Sequence, residues 1–143
     1  MRFELHAPAE QALREHARLA FPREACGLLA QASDGVQRYV VMTNTAAART
    51  HFEMDPVEFA SRERELREAG LWICGFFHSH PHGPARPSPA DIAAAWPRQV
   101  QLILAMVRSD TSQLTAWYKA DGGGLRQLPV VSTCGYPPAQ PRR

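Results

Sequence analysis

The sequence predicts a single mixed α/β (α+β) domain, a curved mixed sheet flanked by two main helices, and three observations predict it. Runs with helical periodicity, opened by prolines, alternate with runs rich in β-branched and aromatic residues. One run, Leu71–His80, is apolar on both faces, as a central strand must be. The chain has 143 residues, and a chain of that size buries roughly 68–70% of the surface its unfolded form exposes, enough for one full core.

Each element has a local reason. Phe3–His6 reads as a short first strand. Pro8 suits the first turn of a helix running to Ala20, whose Leu13, Ala17 and Ala20 share a face while Arg14, Glu15 and Arg18 face water. Pro22 ends it. Glu24–Gln31 and Gln37–Thr43 then form a hairpin across the turn residues Ser33-Asp34-Gly35. Asp55 caps a second helix that Pro56 opens, Glu68 ends and Gly70 closes. Leu71–His80 follows, then a Pro-rich loop and a short helix beginning near Ser88. Gln99–Val107, Gln113–Lys119 and Leu125–Val131 complete the strands, the last two linked by Gly122-Gly123-Gly124. Residues 1–131 are thus expected as the domain, and 132–143, with Pro137, Pro138 and Pro141, as an irregular tail.

Composition narrows the function. Sixteen Lys and Arg against fourteen Asp and Glu, interspersed, give a net charge of +2. That balance supports neither a nucleic-acid groove nor a basic membrane surface. The longest apolar stretches, Leu71–Phe77 and Leu102–Val107, are far shorter than the roughly 20 residues of a membrane span. The opening residues, with Arg2 and Glu4, do not read as a signal peptide. Cys26, Cys74 and Cys134 are an odd number with no Cys-x-x-Cys pair, so neither a disulfide framework nor a thiolate metal site is indicated. A cytoplasmic domain with no nucleic-acid or membrane partner is expected.

The chemistry concentrates in His78-Ser79-His80-Pro81-His82-Gly83-Pro84-Ala85-Arg86-Pro87-Ser88-Pro89-Ala90-Asp91. His78 and His80, two apart at a strand end, point to one face and can reach one ion. Asp91 can return beyond the loop as an oxygen ligand. Two imidazoles, one carboxylate and an open position describe a catalytic zinc site, not a closed structural one. Ser88-Pro89-Ala90-Asp91 also reads as a capping box, which needs no metal. The combined spacing decides between them: with this composition it arises by chance in roughly 4 of 10,000 sequences.

Glu24, together with His78-x-His80-x7-Ser88-x2-Asp91, resembles the signature of the JAMM (MPN+, Mov34/PAD-1) metallopeptidases. Pro22-Arg23-Glu24-Ala25-Cys26-Gly27 is similar to the segment carrying the catalytic glutamate in their small stand-alone prokaryotic branch. The resemblance spans about residues 1–130 and implies a cytidine-deaminase-like MPN fold. No core motif element is missing, which argues against the metal-free scaffold members. The long insertions of deubiquitinating relatives are absent, so their linkage selectivity does not carry over.

The resemblance further implies one Zn2+ per chain on His78, His80 and Asp91, lowering the pKa of a bound water toward about 7 and polarising the scissile carbonyl. It implies Glu24 as general base and then acid, and the Ser88 hydroxyl as oxyanion donor. The implied substrate is a ubiquitin-like or sulfur-carrier protein, cut at the peptide or isopeptide bond after its C-terminal Gly-Gly. Thr50–Met54 and the loop His82–Pro87 are groove candidates by the same analogy. Two other readings compete. A zinc deaminase would show His-x-Glu with Pro-Cys-x-x-Cys, and this chain has neither. A zinc-stapled interaction module would bind metal without Glu24-dependent cleavage.

His82 is off the ligand spacing, and His6, His16 and His51 read as surface residues. Cys26 shares parity with Glu24 and Cys74 with His78, so if their strands pair the two thiols can approach each other near the site, as buried free thiols rather than a disulfide. Trp72, Trp96 and Trp117 read as core or interface anchors, and each metal-site imidazole is expected to have an orienting partner. A homodimer is compatible with general symmetry preferences.

Overall fold

The computed structural model describes residues 1–106 and 113–133. Six strands form one sheet in the order β3-β2-β4-β5-β6-β7: β2 (Cys26–Ala32), β3 (Gln37–Met42), β4 (Leu71–His80), β5 (Val100–Ala105), β6 (Gln113–Lys119) and β7 (Leu125–Leu128). All neighbours are antiparallel except β4 and β5, so the sheet is mixed. A second, two-stranded parallel sheet joins β1 (Phe3–His6) to β8 (Val130–Thr133).

Helices α1 (Ala7–Ala20) and α2 (Pro56–Glu68) cover opposite faces of the large sheet, and a short α3 (Pro89–Ala94) follows the Pro-rich loop. Ala9, Leu13 and Ala17 of α1 lie one turn apart and pack on Leu29, Phe77, Leu102, Leu104 and Ala116. Leu66 of α2 packs with Leu28, Ala30, Met42 and Leu71 on the other side. The alternation of β2 explains the division: Leu28 and Ala30 face α2, Leu29 faces α1. Strand β4 packs into both cores, Phe77 on the α1 side and Leu71 on the α2 side, with Trp72 exposed near its start.

The Asp55 side chain accepts from Val57 N–H at 3.1 Å, and Gly70 leaves α2 at φ +79°. A position inside β2 is tighter. A Cβ at Gly27 would overlap the Tyr39 ring on neighbouring β3. Gly27 therefore makes room for an aromatic that packs edge-on against Phe77, ring centroids 5.5 Å apart.

Several expectations are revised. Leu125–Val131 is not one strand. Pro129 has no N–H for a ladder and divides it, so β7 pairs with β6 while β8 turns to β1, where Phe3 N–H donates to Pro129 O at 2.9 Å. Pairing in β8 continues to Thr133, two residues into the expected tail; residues 134–143, Cys134 among them, lie outside the described residues, as does Val107. Strand β2 begins at Cys26, so Glu24 precedes it. The two thiols do not meet. A bulge opposite Leu29 and Ala30 leaves Cys74 as the extra residue, reverses the parity of β4 and turns Cys74 to the α1 core while Cys26 faces α2. Both cysteines are free. Trp72 and Trp96 are exposed and Trp117 is half-buried, its indole N–H donating to Thr115 Oγ1 at 2.9 Å. No helix among the described residues is long and apolar enough to cross a membrane.

Candidate metal centre

The C-terminal end of β4 delivers His78 and His80 to one point, because residues two apart on a strand share a face. Both are buried, at 0% and 8% exposure. Their Nε2 atoms lie 3.1 Å apart, and Asp91 Oδ2 is 3.1 Å from each. Asp91 gets there through a capping box. Its N–H donates to Ser88 Oγ at 3.1 Å, while Ser88 N–H donates to Asp91 Oδ2 at 2.9 Å. The helix start and the ligand geometry are thus the same structure, and the two readings of Ser88-Pro89-Ala90-Asp91 are compatible.

The hydrogen bonding shows what this triangle wants. The His80 Nδ1–H donates to the Pro84 carbonyl at 2.7 Å, so a neutral His80 presents only a lone pair at Nε2. That lone pair faces the His78 Nε2 and a carboxylate oxygen. Three atoms able to ligate a cation converge at one point, and a single divalent cation can bind all of them. Tetrahedral bonds of about 2.0–2.1 Å place ligand atoms about 3.3 Å apart, close to the 3.1 Å edges here.

Glu24 completes the cluster. One of its carboxylate oxygens and a ring nitrogen from each histidine lie within 4.8 Å of one another, a separation that one water spans. Glu24 is 4% exposed, and its Oε1 has no hydrogen-bond partner. Burial, with the Asp91 charge adding and His80 opposing, pushes its carboxyl up to about 7. Burial holds His78 below the ordinary imidazole range. In the metal-free protein burial also opposes charge on His80 and Asp91, yet their mutual contact outweighs it: His80 rises and Asp91 falls well below the carboxylate range. A site that draws a proton onto His80 is one short of positive charge.

Glu24 owes its place to Ser79, buried between the two histidines. Ser79 N–H donates to Ala25 O at 3.0 Å, but Ala25 N–H donates to Ser79 Oγ at 2.8 Å instead of a backbone carbonyl. The regular β2–β4 ladder therefore stops at Cys26, and the chain carrying Glu24 leaves it beside the histidines.

The remaining candidates separate. His82 is exposed, sits edge-on to Phe21 with ring centroids 5.4 Å apart, and is not in the cluster. His16 is not a plain surface residue; it is half-buried, its Nδ1 2.6 Å from the Tyr39 hydroxyl. His80 has its orienting carbonyl, whereas His78 Nδ1 is buried without a partner. A cleft of about 790 Å³ runs from Asp91 past Phe52, Met54, Phe59, Phe76 and Trp96. His51–Met54 line it, and the loop His82–Pro87 does not. Phe52 lies in the expected groove segment, but its ring contact with His78, centroids 4.7 Å apart, was not foreseen, and sequence reasoning missed Asn44, which bonds to the Glu24 carbonyl. An asparagine just past a strand is a known bridge between backbone segments, and that was the available signal.

Residues 6–119 match the family described as prokaryotic homologs of the JAB domain. A desampylase of Haloferax volcanii is 34% identical, covering 91% of this chain and 96% of its own. A CysO-cysteine peptidase of Mycobacterium tuberculosis is 29% identical, covering 88% of each chain. The solution structure of protein DSY2949 from Desulfitobacterium hafniense superposes with a TM-score of 0.81 at 32% identity, covering 92% of each chain. The chain belongs to the small prokaryotic branch of the JAB, or JAMM/MPN, family.

Proposed function

We propose that this protein hydrolyses the peptide or isopeptide bond after the C-terminal Gly-Gly of a ubiquitin-like or sulfur-carrier protein, with zinc held by His78, His80 and Asp91. The chain is a peptidase or isopeptidase. The substrate reading is supported by the relatives named desampylase and CysO-cysteine peptidase. The observation that carries the chemistry is the convergence of His78 Nε2, His80 Nε2 and Asp91 Oδ2 at 3.1 Å from one another, beside the unpartnered Glu24 Oε1.

Zinc, when bound, supplies Lewis acidity at the scissile carbonyl and lowers the pKa of water toward about 7. The chain's own groups do the rest. Glu24, dry and close to neutrality, accepts a proton from the attacking water and returns it to the departing amine. Ser88 uses its oxygen to accept the Asp91 N–H and keeps its hydroxyl proton for the developing oxyanion. Glycines at the scissile bond let a substrate backbone come close to such a recessed site.

The test is cleavage of a Gly-Gly-extended carrier with metal content measured on the same samples. Wild type is expected to hold one zinc and cleave, Glu24→Gln to keep zinc and lose at least about 100-fold in rate, and Asp91→Ala to lose both. Glu24→Gln cleaving like wild type would overturn the assignment of the acid. Zinc binding with no Glu24-dependent cleavage would indicate an interaction module.

A further inference from the structure

We infer that Asn44 is a positioning residue that sets Glu24 and the aromatic cover of His78 through one amide; the inference rests on the hydrolytic reading above. Asn44 is half-buried just past β3, outside the metal cluster. Its Nδ2 donates to the Glu24 carbonyl at 2.9 Å and to the His51 carbonyl at 3.5 Å. Its Oδ1 accepts from Ala46 N–H at 2.9 Å and Glu53 N–H at 3.1 Å. Two carbonyls on one side and two N–H groups on the other fix the amide orientation, since a flip would set like against like in every contact. Only an amide can make this set of bonds.

The geography gives the amide its consequence. Glu24 precedes β2, so no ladder partner holds its carbonyl; Asn44 does. Residues 46–53 form an excursion whose two ends Asn44 closes, supported by Thr45 N–H on Glu53 O at 2.9 Å and by Arg23 on the Ala46 carbonyl. Phe52 rides on that excursion, packs its ring on His78 and lines the cleft leading to Asp91. Displacing a reacting group by about 1 Å can cost roughly 100-fold in rate. The donor half of Asn44 therefore acts on Glu24, and the acceptor half acts on the segment facing substrate.

Two variants separate the halves. Asn44→Asp keeps an acceptor for Ala46 and Glu53 but faces the Glu24 carbonyl with an oxygen; Asn44→Ala loses both. Steady-state kinetics on a Gly-Gly-extended carrier, zinc content and amide exchange of Ala46 and Glu53 in the metal-free protein are measured together. Asn44→Asp is expected to keep zinc, KM and amide protection while kcat falls roughly 10–100-fold. Asn44→Ala is expected to lose the same kcat, raise KM and expose both amides to exchange; should it not fold, Asn44→Asp alone decides. Wild-type kcat in Asn44→Asp, or equal losses in kcat and KM in both variants, would overturn the inference. A wild type that holds zinc without Glu24-dependent cleavage would instead overturn the hydrolytic reading, leaving the amide-exchange difference as the measure of Asn44.

Discussion

With Nδ1–H committed to the Pro84 carbonyl, His80 has only Nε2 left to offer, and what that atom meets is decided by position and not by residue type. The cysteines show the same rule. Burial, helped by the Glu58 and Glu24 charges, pushes the Cys26 thiol up to about 12, and burial pushes Cys74 up to about 12. From an ordinary value of 9.0 that is a thiolate population smaller by about 1,000-fold. In a Cys134→Ser background, a disulfide-exchange reagent at about pH 8 should therefore find almost no reactive thiol in the native protein and two after denaturation. Rapid titration in the native state would contradict the burial. His16 gives a pH prediction with a definite sign. Burial lowers its pKa from 6.5, so the fold favours the neutral ring that hydrogen-bonds to the Tyr39 hydroxyl. Its contribution is fully present above the unfolded value and is lost as pH falls through the folded one. Compared with His16→Gln, wild type should lose Tm progressively below about pH 6.5; parallel Tm curves would refute this.

At the scale of elements, α3 and the β2–β3 hairpin carry the clearest tests. The Ser88–Asp91 box starts α3 and orients the carboxylate proposed as a ligand, and the two duties can be divided. Asp91→Asn keeps an acceptor for Ser88 N–H but removes the charge, so the helix should persist while bound metal is lost. Ser88→Ala should cost about 1 kcal/mol in denaturant unfolding and retain metal. Loss of metal in Ser88→Ala would mean that the cap, not the carboxylate charge, governs binding. Gly27→Ala forces a methyl into the Tyr39 ring, an overpacking that typically costs about 1–3 kcal/mol. Because Tyr39 is the obstacle, Gly27→Ala combined with Tyr39→Leu should destabilise by less than the sum of the two changes. Strict additivity would show that the clash relaxes elsewhere.

For the whole molecule, the proposed metal triangle is expected to couple metal to stability. A ligand at 100 times its Kd adds about 2.7 kcal/mol to the folded state. Chelation should lower Tm and added zinc restore it, with the effect shrinking in acid because both imidazoles must be neutral to bind. A Tm indifferent to chelator at neutral pH would remove the cation from the scheme. Much of this architecture was legible in advance: α2 spans the expected Pro56–Glu68, and β4 and β6 span the expected Leu71–His80 and Gln113–Lys119. These elements have local causes, a capping Asp55, a closing Gly70 and uninterrupted apolar runs. The break at Pro129 also had a local cause, and only the separate pairing of β8 shows its effect.

What the sequence determined by itself is therefore most of the elements and the residue types at the candidate ligand spacing, because caps, periodicity and the two-residue repeat of a strand act over a few positions. The tertiary structure alone decided that Glu24 leaves the ladder beside His78 and His80, that a bulge sends Cys74 to the opposite face, that Asn44 holds the Glu24 carbonyl and that Phe52 packs on His78. Those outcomes depend on register and burial between segments far apart in the chain. A hydrogen bond such as Ala25 to Ser79 spans 54 positions, and no local pattern encodes it.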